Sequence, residues 1–273
     1  MSTLFSRLLV GFIGLPIVLG IAWIGGWALI ALIAVAALVA LHEFYRAVRS
    51  LRPLVLAGYA GSLVGLVGLQ IEGFEWLGLG LLVALFTGFL FVVFAETMSS
   101  ATTSLAVTVL GTVWISGGLG HLVLIRETAI DPTGAARGEL AIFTVLIAVF
   151  AVDTGAYVVG RLVGSHKLAP RLSPGKTWEG LLGGAVCGVF AAWIANYSGG
   201  YLDNWEAIVL GCVIVLAATF GDLLESMIKR DAGIKDTGTL LGGHGGVLDR
   251  IDSLLLAGPA AFYLLLAFDA VSP

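Results

Sequence analysis

The sequence predicts an all-α protein that crosses a membrane about nine times. Hydrophobic residues occupy 59% of its 273 positions, and the mean hydropathy is +1.03. Only 12% of the residues are charged, which is too little polar surface to coat a soluble protein of this length. Apolar runs of about 20 residues, long enough to cross a ~30 Å hydrocarbon core as helices, recur along the chain. The short alternating segments typical of a membrane β-barrel do not occur.

Each predicted helix corresponds to one apolar run. The nine runs cover about 8–24, 27–41, 54–70, 76–94, 104–125, 140–160, 180–196, 207–225 and 252–268. The first resembles a signal peptide because Arg7 precedes it, but no small-residue cleavage pattern follows. The second begins directly after Gly25 and Gly26, so a retained helical hairpin is favoured. Cys187 and Cys212 lie in apolar runs, which excludes a disulfide framework or a cysteine-rich zinc site.

The distribution of positive charge predicts the orientation of these helices. With a cytoplasmic N-terminus, the outer loops hold only Arg126 and Arg137 of the 14 Lys and Arg residues. The other twelve lie on the inside: Arg7, Arg46, Arg49, Arg52, Arg161, Lys167, Arg171, Lys176, Lys229, Arg230, Lys235 and Arg250. Cytoplasmic loops of membrane proteins are enriched in Lys and Arg, so this split predicts the N-terminus inside and the C-terminus outside.

Polar residues divide the chain into two functional regions. The first five spans are nearly bare of charge at their centres, so residues 1–138 are predicted to form a transmembrane scaffold. Residues that carry chemistry accumulate after position 150. We therefore predict a catalytic region over 139–273, with about four helices and cytoplasmic loops at 161–178 and 226–250.

A polar stripe ends the eighth predicted span. Asp222, Glu225, Ser226 and Lys229 follow the spacing i, i+3, i+4 and i+7, which places them on one face of a helix. The rise of a helix puts Asp222 about 24 Å across the ~30 Å core, near the level of the lipid phosphates. The alternative is a helix end that simply emerges into water, for which Lys229 and Arg230 are typical.

A glycine-rich stretch, GGHGGVLDRID, precedes the ninth span. It places Asp249 and Asp252 at i and i+3 in the first turns of a helix, where carboxylates suit the helix dipole. Glycines and the N–H groups of a helix N-terminus can form a cradle for phosphates. The alternative is a flexible turn in which Asp249 is a helix cap and His244 is merely solvated.

Together these segments predict a magnesium and polyphosphate site. A short connection would bring Asp222 and Asp249 together from facing helices, and two carboxylates are sufficient for Mg²⁺, which completes its shell with phosphate oxygens and water. The predicted cations beside them are Lys229, Arg230, Lys235 and Arg250.

Two further segments point to the same chemistry. Asp153 lies well inside an apolar span, and an intramembrane acid is functional by default, although a structural hydrogen bond is the alternative. In RLSPGKTWEG, a Pro-Gly turn delivers Lys176 to the start of the seventh span, where it could bind phosphate or serve only as a positive-inside marker. No Walker motif is present because Pro170 replaces the required glycine, and HEFYR from His42 lacks the second histidine of a zinc protease.

Three segments of the sequence resemble those of a known family. The run SMIKRDAGIKDTGTLLGGHGGVLDRID, residues 226–252, is similar to the signature of the phosphatidate cytidylyltransferases, also called CDP-diacylglycerol synthases. DTGAYVVGR and SPGKTWEG resemble further blocks of that family. Gly242 stands where many members carry proline, and glycine is also accepted. The N-terminal half is similar in hydropathy only.

The resemblance implies that CTP and phosphatidate react to give CDP-diacylglycerol and pyrophosphate, with Mg²⁺ as cofactor. It implies a multi-pass protein of the cell inner membrane, active at the cytoplasmic face in phospholipid biosynthesis. Asp222 and Asp249 look like the metal-binding acids of the family. The residues assigned to catalysis are Asp222, Asp249, Lys229 and Arg250. Those assigned to substrate binding are Lys176, Ser173, Thr177, Asp153, Arg230, Lys235, Asp236, His244, Gly245 and Gly246. The expected partners are the two substrates and the lipid bilayer, with a homodimer left open.

Two other classes of membrane protein remain as alternatives. A secondary transporter would also carry intramembrane acids, but the charged groups here gather at one face rather than at the midplane. A CDP-alcohol phosphotransferase is a closer chemical rival, yet its D-G-x-x-A-R block has no counterpart in this sequence. Nucleic-acid binding is not expected because the chain has no basic surface to support it.

Overall fold

The chain folds into two compact units that are interleaved in sequence. The computed structural model describes residues 14–94, 100–134, 136–238 and 245–271. The first unit comprises Met1–Val123 and Asp231–Ile251, and the second comprises Leu124–Arg230 and Asp252–Pro273.

The described residues form nine helices and one short hairpin. The helices are α1 Leu15–Ile24, α2 Gly26–Ala47, α3 Val55–Glu72, α4 Glu75–Phe94, α5 Ala101–Thr128, α6 Gly138–Val163, α7 Trp178–Gly199, α8 Asn204–Asp231 and α9 Leu248–Ala267. Helix α5 contains a π-helical segment, Thr112–Gly117, and a 3₁₀ turn, Arg49–Leu51, follows α2. The strands are β1 Lys167–Ala169 and β2 Ser173–Thr177.

The predicted fold class is confirmed. Within the described ranges, the eight helices α2 to α9 are long and apolar enough to cross a membrane by length and composition. The first predicted span, 8–24, lies partly outside the described residues, and only Leu15–Ile24 of it is seen as helix. Helix α8 extends to Asp231 rather than ending near 225, because the polar stripe continues the helix with side chains that pair along it.

Small residues bring the helices of the first unit together. A Cβ at Gly61 of α3 would lie 2.6 Å from the Cβ of Ala84 and would overlap the carbonyl oxygen of Gly80, both on α4. Such close backbone packing is characteristic of helix pairs in membranes. The Tyr45 hydroxyl of α2 donates to the carbonyl oxygen of Thr108 on α5 over 3.0 Å. Helices α2, α3, α4 and the first part of α5 therefore form one packed body.

The helices of the second unit also pack through glycines. A Cβ at Gly184 of α7 would lie 2.7 Å from the carbonyl oxygen of Val152 on α6. A Cβ at Gly211 of α8 would lie 2.7 Å from the Cα of Val189 on α7. The three helices can therefore approach to backbone contact, which fixes the positions of the polar groups that they carry.

A β-hairpin between α6 and α7 was not predicted from the sequence. Its strands are antiparallel and pair Lys167 with Thr177 and Ala169 with Ser173. The segment lies between two apolar spans and is not helical. Its backbone groups form hydrogen bonds between the two strands of the hairpin instead. Glu179, in the first turn of α7, accepts hydrogen bonds from the backbone N–H group of His166 and ties the hairpin to that helix. The hairpin thereby gives Lys176 a defined position.

Candidate active site

An acidic cluster with one paired lysine lies in the second unit. The Nζ atom of Lys176, on β2, is 2.7 Å from Oδ2 of Asp222 on α8. Their side chains are 24% and 31% exposed, so the pair is accessible to a ligand yet largely shielded from water. Asp153 of α6 lies within electrostatic range of both members of this pair. The structure thus brings together three residues that the sequence placed in the site.

Helix α9 adds a further acid to this cluster. Asp252 lies within electrostatic range of Asp222 and Asp153, and it also lies near Glu225 of α8. The Ser253 hydroxyl donates to Oδ1 of Asp153 over 3.4 Å. The sequence alone gives Asp252 no role in the site, although it follows Asp249 at the spacing i, i+3.

The close approach of α8 and α9 depends on one glycine. A Cβ at Gly221 would lie 2.6 Å from the carbonyl oxygen of Asp252 and 3.3 Å from the Cα of Ser253. No side chain other than hydrogen fits at this position without moving one helix. Gly221 therefore sets the distance between the helix that carries Asp222 and the helix that carries Asp252.

The polar stripe of α8 is largely paired within the protein. The Ser226 hydroxyl donates to Oδ1 of Asp222 over 3.3 Å. The Nζ atom of Lys229 forms a 2.5 Å salt bridge with Glu225, which is only 1% exposed. A buried carboxylate needs such a partner, so Lys229 serves the fold in addition to any role in catalysis. Its predicted catalytic role stays a prediction.

Several residues near the hairpin have structural roles. Thr177 is buried, and its hydroxyl caps α7 by accepting the N–H group of Gly180 over 3.1 Å. The Nε atom of Arg230 donates to the carbonyl oxygen of Leu172 over 3.1 Å and so holds the turn of the hairpin. Ser173 is partly buried at the start of β2. The predictions that Thr177, Arg230 and Ser173 bind substrate gain no support from these contacts.

In the first unit, Asp249 closes the end of the glycine-rich stretch. Its carboxylate accepts the N–H group of Gly246 over 2.7 Å and that of Thr237 over 3.0 Å. Asp249 therefore ties down the loop that precedes α9, and its predicted role as a metal ligand stays a prediction. The Asp249 carboxylate can also bind further ligands, because an ionised carboxylate has about four lone-pair sites.

Glu43 is the acid that sequence analysis missed. It lies near the end of α2, is 5% exposed, and accepts the N–H groups of Val247 and Leu248 over 3.1 and 2.8 Å. The N–H group of Gly246 donates to Asp249, so three backbone N–H groups at the start of α9 donate to protein carboxylates. These hydrogen bonds give no support to the predicted phosphate cradle of Gly245 and Gly246.

The other predicted site residues are less constrained. Lys235, Asp236 and Arg250 are exposed, and all three lie in the first unit. His244 lies outside the described residues. Among the described residues, no group of three or more His, Cys, Asp or Glu side chains has a geometry that could hold a metal ion. Because Asp222 and Asp249 belong to different units, their joint binding of one ion stays a prediction.

Comparisons with known proteins assign the chain to a family. Residues 5–268 match the cytidylyltransferase family. A phosphatidate cytidylyltransferase of Mycobacterium leprae is 48% identical over 129 residues, which is 47% of this chain and 41% of that protein. One from Haemophilus influenzae is 44% identical over 132 residues, 46% of each chain. The uncharacterized protein YnbB of Escherichia coli is 40% identical over 133 residues, 49% of this chain and 45% of that protein.

The extent of these matches determines what they show. The pairwise alignments span less than half of each relative, so the relatives' activity does not transfer to this chain by identity alone. The family match is different, because it extends over nearly the whole chain and includes the hairpin, the acidic cluster and the start of α9. The chain therefore belongs to the cytidylyltransferase family.

Proposed function

We propose that the protein transfers the cytidylyl group of CTP to phosphatidate and releases pyrophosphate, giving CDP-diacylglycerol for phospholipid biosynthesis. Membership of the cytidylyltransferase family supports the type of reaction, and relatives named phosphatidate cytidylyltransferase support the substrates. The structural observation that carries the proposal is the pair of Lys176 and Asp222 inside an acidic cluster built by four elements. A lysine beside carboxylates at the end of membrane-length helices suits a charged substrate that is attached to a lipid.

The proposed reaction makes modest demands on the protein. A phosphate oxygen of phosphatidate attacks the α-phosphorus of CTP, the bond between the α-phosphorus and the bridging oxygen breaks, and pyrophosphate leaves with that oxygen. The attacking phosphate is already anionic, so neither a strong general base nor a covalent enzyme intermediate is required. Catalysis then rests on positioning and on compensation of charge. Lys176 is suited to the second task because its ammonium group can exchange a carboxylate partner for a phosphate.

Magnesium is the cofactor that we propose, with Asp222 and Asp249 as its protein ligands. The type of donor fits this ion, because Asp222 and Asp249 offer hard carboxylate oxygens, which are the ligands that Mg²⁺ prefers. Few protein ligands are expected, since Mg²⁺ takes one or two carboxylates and obtains the rest of its shell from phosphates and water. When bound, the ion would neutralise phosphate charge as a Lewis acid.

The proposed site faces the cytoplasm, where CTP is available, and the bilayer supplies phosphatidate. The twelve-to-two split of Lys and Arg supports this orientation, because cytoplasmic loops are enriched in these residues and both the hairpin and the segment before α9 contain them. Relatives from bacteria support the inner membrane as the location.

The direct test is an assay of the purified protein in lipid–detergent micelles with CTP, phosphatidate and Mg²⁺. We expect CDP-diacylglycerol and pyrophosphate to appear in equal amounts, and neither to appear when phosphatidate is omitted. Replacing CTP with ATP tests nucleotide specificity in the same assay. Absence of product, together with substrate-driven solute flux in liposomes that lack CTP, would favour a transporter and refute the proposal.

A further inference from the structure

The start of α9 binds an anion that the protein itself supplies. The free N–H groups of a helix N-terminus carry partial positive charge and favour a carboxylate or a phosphate. Here the ligand is Glu43 of α2, whose two carboxylate oxygens accept the N–H groups of Val247 and Leu248. Residue 43 and residues 247 and 248 are more than 200 positions apart in sequence, so this contact is a specific product of the fold.

Two glycines make room for the Glu43 carboxylate. A Cβ at Gly238 would overlap Oε1 of Glu43 and would lie 2.7 Å from its carboxyl carbon. A Cβ at Gly246 would overlap Oε2 and lie 2.6 Å from the same carbon. Neither glycine has a positive φ, so their value here is the space that they leave and not an unusual backbone conformation. Gly238 and Gly246 therefore leave the space that the Glu43 carboxylate occupies.

Asp249 completes the arrangement from the other side. Its carboxylate accepts the N–H groups of Thr237 and Gly246, one from each flank of the glycine-rich stretch. Asp249 can hold these groups only if the first turn of α9 is itself fixed, and Glu43 bonds to the two residues that immediately precede Asp249. The orientation of the Asp249 carboxylate thus depends on Glu43.

A ligand-binding role for Glu43 itself is the rival explanation. Glu43 lines a cavity of about 470 Å³ together with His42, Arg46 and Tyr59, a volume within the ~300–1,000 Å³ range of small-molecule sites. However, both carboxylate oxygens of Glu43 already accept backbone N–H groups, and its side chain is almost fully buried. A carboxylate would also repel the phosphates of the proposed substrates. Glu43 therefore acts on the backbone and not on a ligand.

We infer that Glu43 is a positioning residue, which anchors the first turn of α9 and thereby orients Asp249 for the proposed cytidylyl transfer. The expected effect on turnover rests on the proposed function, whereas the anchoring of α9 by Glu43 does not. Because misplacement of a reacting group by about 1 Å costs about 100-fold in rate, loosening this turn should lower kcat more than it changes the KM for CTP.

The first test compares Glu43→Gln with the matched control Glu75→Gln, which removes an exposed carboxylate at the start of α4. The amide of Glu43→Gln still accepts one N–H group but places its own NH₂ group against the other. We expect kcat to fall by about 10- to 100-fold with the KM for CTP changed less than about threefold. Glu43→Asp keeps the charge on a shorter side chain and should recover part of the loss. Glu75→Gln should leave both constants unchanged.

Hydrogen–deuterium exchange provides a readout that needs no activity. In Glu43→Gln one of the two amides of Val247 and Leu248 loses its acceptor, so a peptide covering 245–250 should exchange faster while peptides from α3 and α4 stay as in the wild type. Uniformly faster exchange throughout these helices would overturn the inference, because Glu43 would then support the whole fold. Unchanged exchange at 245–250 would overturn it as well. If the wild-type protein has no cytidylyltransferase activity, the proposed function fails and exchange still decides the role of Glu43.

A double-mutant cycle tests whether the glycine and the acid act together. Gly238→Ala places a Cβ on the Glu43 carboxylate, so it should lower kcat in the wild-type background by about as much as Glu43→Gln does. In a Glu43→Ala background that overlap is gone, and Gly238→Ala should then have little further effect. Equal effects in both backgrounds would show that Gly238 acts independently of Glu43 and would contradict the inference.

Discussion

Replacement of Gly221 by alanine is a direct test of the geometry of the acidic cluster. The added Cβ would lie 2.6 Å from the carbonyl oxygen of Asp252, whereas ordinary contact begins near 3.4 Å. The obstructing atom belongs to the backbone and cannot rotate away. Helices α8 and α9 must therefore separate by about 0.8 Å, the difference between these two distances. Asp222 is the next residue on α8 and moves with it.

Two opposing effects determine the stability of Gly221→Ala. Overpacking of a close helix contact costs about 1–3 kcal/mol, and replacing glycine by alanine within a helix returns about 0.5–1 kcal/mol. We therefore expect a net loss of roughly 0.5–2 kcal/mol, measured by thermal unfolding in micelles. Turnover should fall further, by about 10- to 100-fold, because a displacement near 1 Å disturbs the alignment of reacting groups.

The matched control is Gly78→Ala on α4, where a Cβ would meet no atom within 4 Å. This variant makes the same chemical change in a helix without an overlap, so its stability should be equal to or slightly above that of the wild type. Its CDP-diacylglycerol formation should be unchanged. If Gly221→Ala turns over and unfolds like Gly78→Ala, the spacing of α8 and α9 does not control the site, and the geometric reasoning is refuted.

The remaining predictions concern the charged residues of the site. Asp222→Asn and Asp249→Asn each keep the size of the side chain but remove a proposed metal ligand, so activity should fall at least ~100-fold with little loss of folded protein, while the exposed control Asp231→Asn should be mild. Normal turnover of the first two at low Mg²⁺ would contradict the two-carboxylate metal site. Lys176→Ala should lower turnover or raise the apparent KM for CTP, and wild-type kinetics would leave Lys176 as a partner of Asp222 only. A single cysteine in place of Lys235 should react only with reagents that reach the cytoplasm, and labelling solely from outside intact cells would refute the proposed orientation.

The positions of the transmembrane helices could be predicted because a single physical property determines them. Hydrocarbon tolerates only long apolar helices, so the apolar runs mark the spans directly. The end of α8 could not be predicted in this way. Its last residues are polar, and they stay helical because Lys229 pairs with Glu225 one turn away, which hydropathy does not register.

The hairpin and the role of Glu43 depend on contacts that local sequence does not reveal. β1 and β2 together contain few residues with strong strand preference, and the Pro-Gly pair at 174–175 is typical of a turn rather than a strand. In the sequence, Glu43 stands out only as an acid after an apolar run and as part of an incomplete zinc motif. Its partners lie more than 200 residues later, beyond the reach of any spacing rule.

The candidate site could be predicted in its residues but not in their bonding. The sequence identified Asp153, Lys176 and Asp222, and the structure joins them in one cluster. The spacing of Asp249 from the glycines correctly suggested a specialised helix start, but two interpretations were open, a cap and a phosphate cradle. The hydrogen bonds of Asp249 go to the loop before the helix and match neither interpretation in full. Periodicity cannot distinguish these cases, because both use the same N–H groups.

The occupied N–H groups at the start of α9 have a consequence for the proposed reaction. Gly246, Val247 and Leu248 donate to the carboxylates of Asp249 and Glu43, so the favourable end of the helix dipole is used to fix protein groups. The charge of the CTP phosphates must then be compensated elsewhere, by cationic side chains such as Lys176 and by the proposed Mg²⁺. A site of this kind depends strongly on the precise placement of its carboxylates, because they and not the backbone would hold the proposed Mg²⁺. Gly238, Gly245 and Gly246 leave space for the carboxylates of Glu43 and Asp249, which explains why these glycines and acids occur together before the last helix.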